Sequence, residues 1–83
     1  MMSKYYVYIL KSINFEKTYI GFTDNLERRL TQHNKGYNVF SKRFMPWKII
    51  YTEIYNTQVN ALEREKYLKS AAGRRWMKKY LFS

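Results

Sequence analysis

Three segments of the chain are rich in the β-branched and aromatic residues that strands prefer. They read YYVYIL at residues 5–10, TYIGF at 18–22 and WKIIYTEIY at 47–55. The first two are separated by a short polar connection at residues 12–16, which predicts a β-hairpin. The three segments together predict a small, mostly antiparallel sheet.

Apolar residues spaced three and four apart predict helices after the hairpin. Asp24 is a candidate N-cap, Glu27 completes a capping-box pattern with it, and Gly36 is a natural stop for this first helix. Leu26 and Leu30 lie one turn apart and mark its buried stripe.

The second half of the chain predicts two more helices. Residues 36–46 have no clean period and are expected to form a loop. Thr57 can cap a second helix that runs to about Ala72, with Gly73 as the break, and the basic segment at 74–82 predicts a short final helix. The order β-β-α-β-α-α predicts an α/β fold, a small sandwich with helices flanking a three-stranded sheet.

Helical geometry separates neighbouring polar residues, because successive side chains point about 100° apart. In the first helix, Arg29 and His33 lie at the edge of the buried stripe, whereas Arg28 points the other way.

In the second helix, Ala61, Leu68 and Ala72 share one apolar stripe, and Glu65 falls between the first two. Glu63 faces solvent. A carboxylate on an apolar stripe is costly unless it is paired with an arginine or binds a cation, and both explanations stay open.

Tyrosines are concentrated in the first two strands. Tyr6 and Tyr8 share one face of their strand because side chains alternate, and Tyr19 can reach that face from the next strand. Each tyrosine alone is typical core filling. Tyrosines, Arg29, His33 and Glu65 converging on one side of a sheet would instead indicate a site.

Composition limits the function classes that fit this chain. The 83 residues carry sixteen Lys and Arg against six Asp and Glu, a net charge of +10, which favours nucleic acid first and an anionic membrane second. The chain has no cysteine and one histidine, so any metal would be held by oxygen ligands, as Mg²⁺ or Mn²⁺ prefer. We expect one domain over residues 1–83. With no signal peptide or apolar span evident, we also expect a cytoplasmic location.

Two motifs carry a resemblance to a known family. YVYIL at residues 6–10 followed by YIG at 19–21 resembles the paired motif of the GIY-YIG nuclease superfamily, in particular small stand-alone members related to the N-terminal nuclease domain of excinuclease C. TDNLERRLTQHNKG at 23–36 is similar to the family's next block. ALEREKYLK at 61–69 is similar to its glutamate-bearing segment.

The resemblance implies a metal-dependent DNA endonuclease, with a function in DNA repair or processing. It implies that Glu65 holds a divalent metal ion, Mg²⁺ or Mn²⁺, and that Arg29 holds the phosphate. Tyr8 would activate water, Tyr19 would orient water or phosphate, and His33 would relay a proton. Gly21 would let the backbone approach a phosphate.

Further residues are expected to contact the nucleic-acid backbone, which gives affinity but little sequence specificity. The predicted binding residues are Tyr6, Gly21, Lys42, Arg43, Lys48, Arg74, Arg75 and Lys78, and Lys79 can join them. Trp47 and Trp76 are expected in the core, with stacking on unpaired bases as the alternative. The expected partner is DNA, with RNA left open, and a protein partner could supply specificity. We expect no membrane and no small-molecule organic cofactor.

A non-catalytic nucleic-acid-binding domain with a vestigial site is the main alternative. Many family nucleases carry an Asn after the glutamate, and SAAGRRWMKKYLFS at 70–83 contains none. Phe22 occupies a position where some relatives have Lys, and Tyr6 replaces the first Gly of the motif. A membrane-surface protein is a weaker alternative, because no segment combines a basic face with a broad apolar one.

Overall fold

The computed structural model of the chain describes residues 4–82. The elements in this range are β1 Tyr5–Ser12, β2 Thr18–Thr23, α1 Leu26–Asn34, α2 Val39–Lys42, β3 Trp47–Tyr55, α3 Gln58–Lys69 and α4 Ala71–Tyr80. They confirm the predicted α/β fold.

The sheet is antiparallel, with β1 in the middle and the strand order β2-β1-β3. Tyr8 lies opposite Gly21 of β2 and Thr52 of β3. The pairing of β1 with β3 shifts register after Ile9, so β3 contains one extra residue, Ile50, at that point. Both β2 and β3 are edge strands, as the order requires.

One face of the sheet packs against α3 and α4. Val7 and Ile9 of β1 form a buried cluster there with Ala61, Leu68 and Met77. These five side chains are at most 5% exposed, so this face is the larger apolar core. The spacing of Ala61 and Leu68 on the predicted apolar stripe of the second helix is therefore confirmed.

The other face of the sheet packs against α1 and the segment around α2. Tyr8, Leu10 and Trp47 are buried there, and Leu26 and Leu30 of α1 pack against them. Trp47 is 2% exposed, which confirms its expected place in the core. The tyrosines that alternate along β1 thus face the helix that carries Arg29 and His33.

Two predictions about the first helix and the loop after it were wrong. The N-cap is Asn25, not Asp24: the Asn25 side chain accepts the backbone N–H of Arg28 at 3.0 Å. Asp24, one residue earlier, pairs with the Arg28 guanidinium instead. The predicted loop contains the one-turn helix α2, because the Asn38 side chain caps the backbone N–H of Ser41.

The predicted break at Gly73 was also misplaced. α3 ends at Lys69, and Ser70 caps α4 by accepting the backbone N–H of Gly73. Gly73 lies inside α4. A Cβ at this position would overlap the backbone of Tyr67 and Leu68, so glycine allows α4 to pack closely against the end of α3. Between residues 4 and 82 we find no helix long and apolar enough to cross a membrane.

Candidate active site

The phenol of Tyr8 lies at the centre of the helix α1 face of the sheet. Tyr8 is 2% exposed. Its ring crosses the position opposite it on β2, where a Cβ on Gly21 would lie 2.5 Å from the Tyr8 hydroxyl. Glycine is therefore needed at this position to make room for the phenol. The structure gives Gly21 this packing function; its predicted contact with a phosphate stays a prediction.

Arg29 is the arginine of α1 that approaches the phenol. Its Nε donates to the Tyr8 hydroxyl at 3.3 Å, and its Nη1 donates to Gln32 Oε1 at 3.0 Å. Arg28 is 57% exposed and pairs with Asp24 on the outer side of the helix. Helical geometry thus predicted the correct side of α1 for each of the two arginines.

Hydrogen-bond chemistry fixes the direction of a chain of donors through His33. An arginine only donates, so the Tyr8 oxygen accepts from Arg29. The Ser41 hydroxyl donates to the Asn38 carbonyl at 3.5 Å, so it accepts from Nδ1 of a neutral His33 at 2.7 Å. The unprotonated Nε2, 3.1 Å from the Tyr8 oxygen, therefore accepts the phenol proton.

Burial keeps both titratable members of this chain neutral. It raises the pKa of Tyr8 to about 12. Burial and the positive charge of Arg29 lower the pKa of His33 to about 4. For Arg29 burial opposes the charged form, but its interactions with Tyr8 and Tyr19 raise the pKa above the ordinary value. Near neutral pH, therefore, a guanidinium cation is held against a neutral phenol and a neutral imidazole.

Tyr19 extends this cluster toward the edge of the sheet. Its ring centroid is 4.5 Å from the His33 ring and 6.3 Å from the Tyr8 ring. We call Tyr8, Tyr19, Arg29, His33 and Ser41 the Arg29 cluster. The structure therefore brings together four of the five predicted catalytic residues.

Ser41 and Gln32 are the site residues that sequence reasoning missed. Ser41 is fully buried beneath His33, and its carbonyl accepts from Trp47 Nε1 at 2.8 Å. Only the Asn38 cap three residues earlier hinted at an ordered turn there. Gln32 was easier to find, because it lies three residues after Arg29 on the same helix.

Glu65 lies on α3, outside the hydrogen-bonded Arg29 cluster. Its side chain is 13% exposed and accepts from Lys69 Nζ at 3.1 Å, an ion pair with the next turn of the helix. Its negative charge nevertheless contributes to the raised pKa of Tyr8. Glu63 is exposed. The prediction that Glu65 and not Glu63 faces the protein is confirmed.

The predicted nucleic-acid-binding cations are all exposed but lie on two different layers. Lys42 and Arg43 are at the end of α2, beside α1, and Lys48 is on β3. Three more cations project from α4 on the opposite layer, namely Arg74, Arg75 and Lys78. Tyr6 is half-buried on the Tyr8 face. The positive charge therefore lies on both layers of the protein instead of forming one stripe.

A second polar cluster lies on the α3 face of the sheet. The Glu53 carboxylate accepts from Tyr51 and Tyr55 at 2.5 and 2.6 Å and from two nitrogens of Arg64 at 2.9 and 3.0 Å. The Arg64 guanidinium also stacks 4.9 Å from the Trp76 ring centroid. We call Tyr51, Glu53, Tyr55 and Arg64 the Glu53 cluster. Its charges are matched within the protein.

Comparison with known proteins agrees with this geometry. Residues 4–80 match the GIY-YIG catalytic domain. A UPF0213 protein from Staphylococcus saprophyticus is 31% identical and the alignment covers 93% of this chain and 94% of that one. Another, from Clostridium perfringens, is 40% identical over 77% of this chain and 69% of its own.

The fold is also shared with a solved structure. The solution NMR structure of a UPF0213 protein from Bacillus halodurans matches with a TM-score of 0.56 and 22% identity, over 94% of this chain and 85% of that chain. The family match spans nearly all of the described residues, and the paired motif tyrosines meet in one cluster. The chain therefore belongs to the GIY-YIG family, whose fold is a nuclease fold.

Proposed function

We propose that this protein is a metal-dependent endonuclease that hydrolyses phosphodiester bonds in DNA, in repair or processing within the cytoplasm. The observation that carries the proposal is the state of Arg29. This half-buried guanidinium hydrogen-bonds to two neutral oxygens, those of Tyr8 and Gln32, rather than to a carboxylate. A partly buried cation whose protein contacts are neutral is suited to an anionic ligand such as a phosphate.

The donor set fits a hard divalent ion that keeps most of its water. Within residues 4–82 no three His, Cys, Asp or Glu side chains come together. Glu65 is the carboxylate whose charge reaches Tyr8, so it would be the protein ligand. Mg²⁺ is commonly bound by one or two carboxylates together with substrate phosphates and waters. When bound, such an ion neutralises charge on the phosphoryl group and acidifies bound water.

The remaining chemistry falls to residues of the Arg29 cluster. Arg29 would donate to the scissile phosphate, where the negative charge increases during reaction. Tyr8 is neutral at rest, so it can accept a proton from water only if it gives its own proton to His33 at the same time. The hydrogen bond from Tyr8 to His33 Nε2 has the direction that this transfer needs. Tyr19 would orient the phosphate beside them.

A non-catalytic nucleic-acid-binding domain is the second candidate. The observation that favours it is the burial of Tyr8, which raises its pKa to about 12 and makes the resting phenol a poor base. Arg29 and the exposed cations would then serve binding alone. This candidate predicts salt-sensitive affinity for DNA without hydrolysis under any metal condition.

Cleavage assays on matched variants test the proposal. Branched, nicked and linear DNA would be incubated with the protein in Mg²⁺, in Mn²⁺ and in chelator. We expect metal-dependent cleavage that falls at least about 100-fold in Glu65→Gln and Arg29→Gln, the scale of losing one group that stabilises transition-state charge. Glu63→Gln and Arg28→Gln are the controls, because both residues are exposed. Equal losses in all four variants would refute the site, and binding without cleavage would establish the second candidate.

A further inference from the structure

A cavity of about 340 Å³ opens directly beside the Arg29 cluster. It lies between the outer edge of β2, helix α2 and the junction of α3 with α4. Tyr19 and Phe40 provide aromatic walls, Met77 lies on the apolar side, and Lys69 and Arg74 provide positive charge. The volume is within the range of pockets that hold small organic ligands.

Phe40 is an exposed aromatic residue at the mouth of this cavity. It is 44% exposed, although it belongs to a one-turn helix that could have placed a polar residue there. Its ring centroid is 6.1 Å from that of Tyr19, with 34° between the planes, and 5.4 Å from that of Phe44. The Phe40 and Phe44 planes are tilted by 55°, so the three rings do not form one flat surface. The exposed face of Phe40 nevertheless lies next to Tyr19 and is open to a flat ring.

The strand that borders the cavity has an unpaired edge. β2 is hydrogen-bonded to β1 on one side only, and its residues Thr18, Tyr19 and Ile20 all line the cavity. An edge strand presents backbone N–H and C=O groups that no neighbouring strand uses. The wall opposite the cations can therefore donate and accept hydrogen bonds with a polar ring edge.

The charge in the cavity suits a phosphate. Lys69 is 53% exposed and is paired with Glu65 at 3.1 Å, so its charge is partly balanced within the protein. Arg74 is exposed at the start of α4. Aromatic walls next to cations are the combination with which proteins bind single-stranded nucleic acid, because every base has a π face and every nucleotide has a phosphate.

We propose that this cavity binds one unpaired nucleotide next to the phosphodiester that the Arg29 cluster attacks. The inference rests on the proposed function, because it identifies the substrate class of the same site. A base inside a duplex is stacked and paired, so the cavity selects strands that are already unpaired at a flap, gap or end. The protein therefore prefers nucleic acid with an unpaired nucleotide over intact duplex.

Binding in chelator tests the inference independently of cleavage. The probe is a short DNA duplex with a single-stranded flap whose first unpaired base is 2-aminopurine, and the comparison is the same duplex without the flap. We expect the protein to bind the flap DNA about tenfold more tightly, and we expect 2-aminopurine emission to fall as the base stacks.

Substitutions in α2 test whether the preference for flap DNA depends on the cavity. Phe40→Leu keeps an apolar side chain but removes the π face, so it should abolish both the preference and the emission change. Phe40→Tyr keeps the face and should retain both. Val39→Ala is the control on the same turn, since Val39 is 86% exposed and does not line the cavity.

The outcomes separate this inference from the proposed function. Equal affinity for flap and intact duplex, or an unchanged preference in Phe40→Leu, overturns the inference even if the protein cleaves DNA. A Phe40-dependent preference without cleavage in any metal supports the inference as a binding property and refutes the nuclease proposal.

Discussion

Two arginine–tyrosine clusters lie on opposite faces of the same sheet, and they differ in what balances the arginine. In the Glu53 cluster, Arg64 makes a two-point hydrogen bond with Glu53. In the Arg29 cluster, Arg29 contacts the neutral oxygens of Tyr8 and Gln32. The charge of Arg64 is balanced by a carboxylate of the protein, whereas the charge of Arg29 is not balanced by its neutral partners and can bind an anion.

The completed cluster stabilises the fold. Burial opposes the charged form of Glu53, but hydrogen bonds from Arg64, Tyr51 and Tyr55 outweigh it and lower the pKa of the carboxyl. Removing one partner of such a pair leaves a charge that the protein no longer compensates. We therefore expect substitutions in the Glu53 cluster to lower the free energy of unfolding, and substitutions at Arg29 to lower the rate of DNA cleavage.

The Glu53 cluster is connected through α3 to the proposed metal ligand. Arg64 and Glu65 are adjacent, so their side chains leave the helix about 100° apart. When Arg64 pairs with Glu53, the rotation of α3 about its axis is fixed, and with it the direction of Glu65. The structural cluster on one face thus orients the proposed metal ligand.

The largest expected effect within this comparison is a loss of stability in Arg64→Gln. The Glu53 carboxylate would keep its two phenol donors and lose its cation, while both side chains are about one-fifth exposed. We expect a decrease of about 2–3 kcal/mol in the free energy of unfolding, below the range for fully buried pairs. Urea unfolding measures it. A loss below about 0.5 kcal/mol would mean that this cluster does not stabilise the fold.

The next effect is a pH dependence that comes from His33. Its folded pKa of about 4 lies below its ordinary value of 6.5, so the unfolded chain binds a proton first as the pH falls. Stability is therefore lost progressively between about pH 6.5 and 4. The loss should reach about 1–2 kcal/mol by pH 5, since one unit of pKa shift corresponds to about 1.4 kcal/mol.

Unfolding measured at several pH values checks this. His33→Gln removes the titrating group, so its stability should change much less over the same range, whatever its absolute value. A parallel decline in both proteins would contradict the buried, neutral His33 on which the proton relay depends.

The smallest effect is expected at the exposed ion pair of Asp24 with Arg28. Both side chains are more than half exposed, so solvent screens their attraction. We expect Asp24→Asn to change the free energy of unfolding by less than about 0.5 kcal/mol and to leave cleavage unchanged. A larger loss of stability would mean that exposure is a poor guide to which arginine pairs matter here.

The sequence predicted the directions of side chains better than the ends of elements. Period-2 and period-3.6 spacing is enforced by the cores on both faces, so Arg29, Glu65 and Tyr8 were each assigned to the inward side of their own element. The predicted convergence of Glu65 with the tyrosines and Arg29 on one face was not met, because α3 packs on the face of the sheet opposite α1. Helix ends depend on single side-chain hydrogen bonds. Asp24 and Asn25 are adjacent and chemically equivalent as caps, and only the three-dimensional path of the chain selects Asn25.

Other features of the site could not be predicted from the local spacing of residues. Ser41 is buried because a one-turn helix folds it under His33, eight residues away, and α2 is too short to have a period. The raised pKa of Tyr8 follows from packing against Gly21 and α1, which only the assembled sheet creates.

The most direct test compares Arg29→Gln with Arg64→Gln in two assays on the same preparations, DNA cleavage in Mg²⁺ and urea unfolding. We predict that Arg29→Gln loses at least about 100-fold in cleavage while its free energy of unfolding stays within about 1 kcal/mol of the parent. Arg64→Gln should show the reverse balance, with lower stability and a smaller loss of cleavage per folded molecule. If Arg29→Gln unfolds as easily as Arg64→Gln and its folded fraction cleaves DNA normally, then Arg29 is a structural residue and the assignment of the site is wrong.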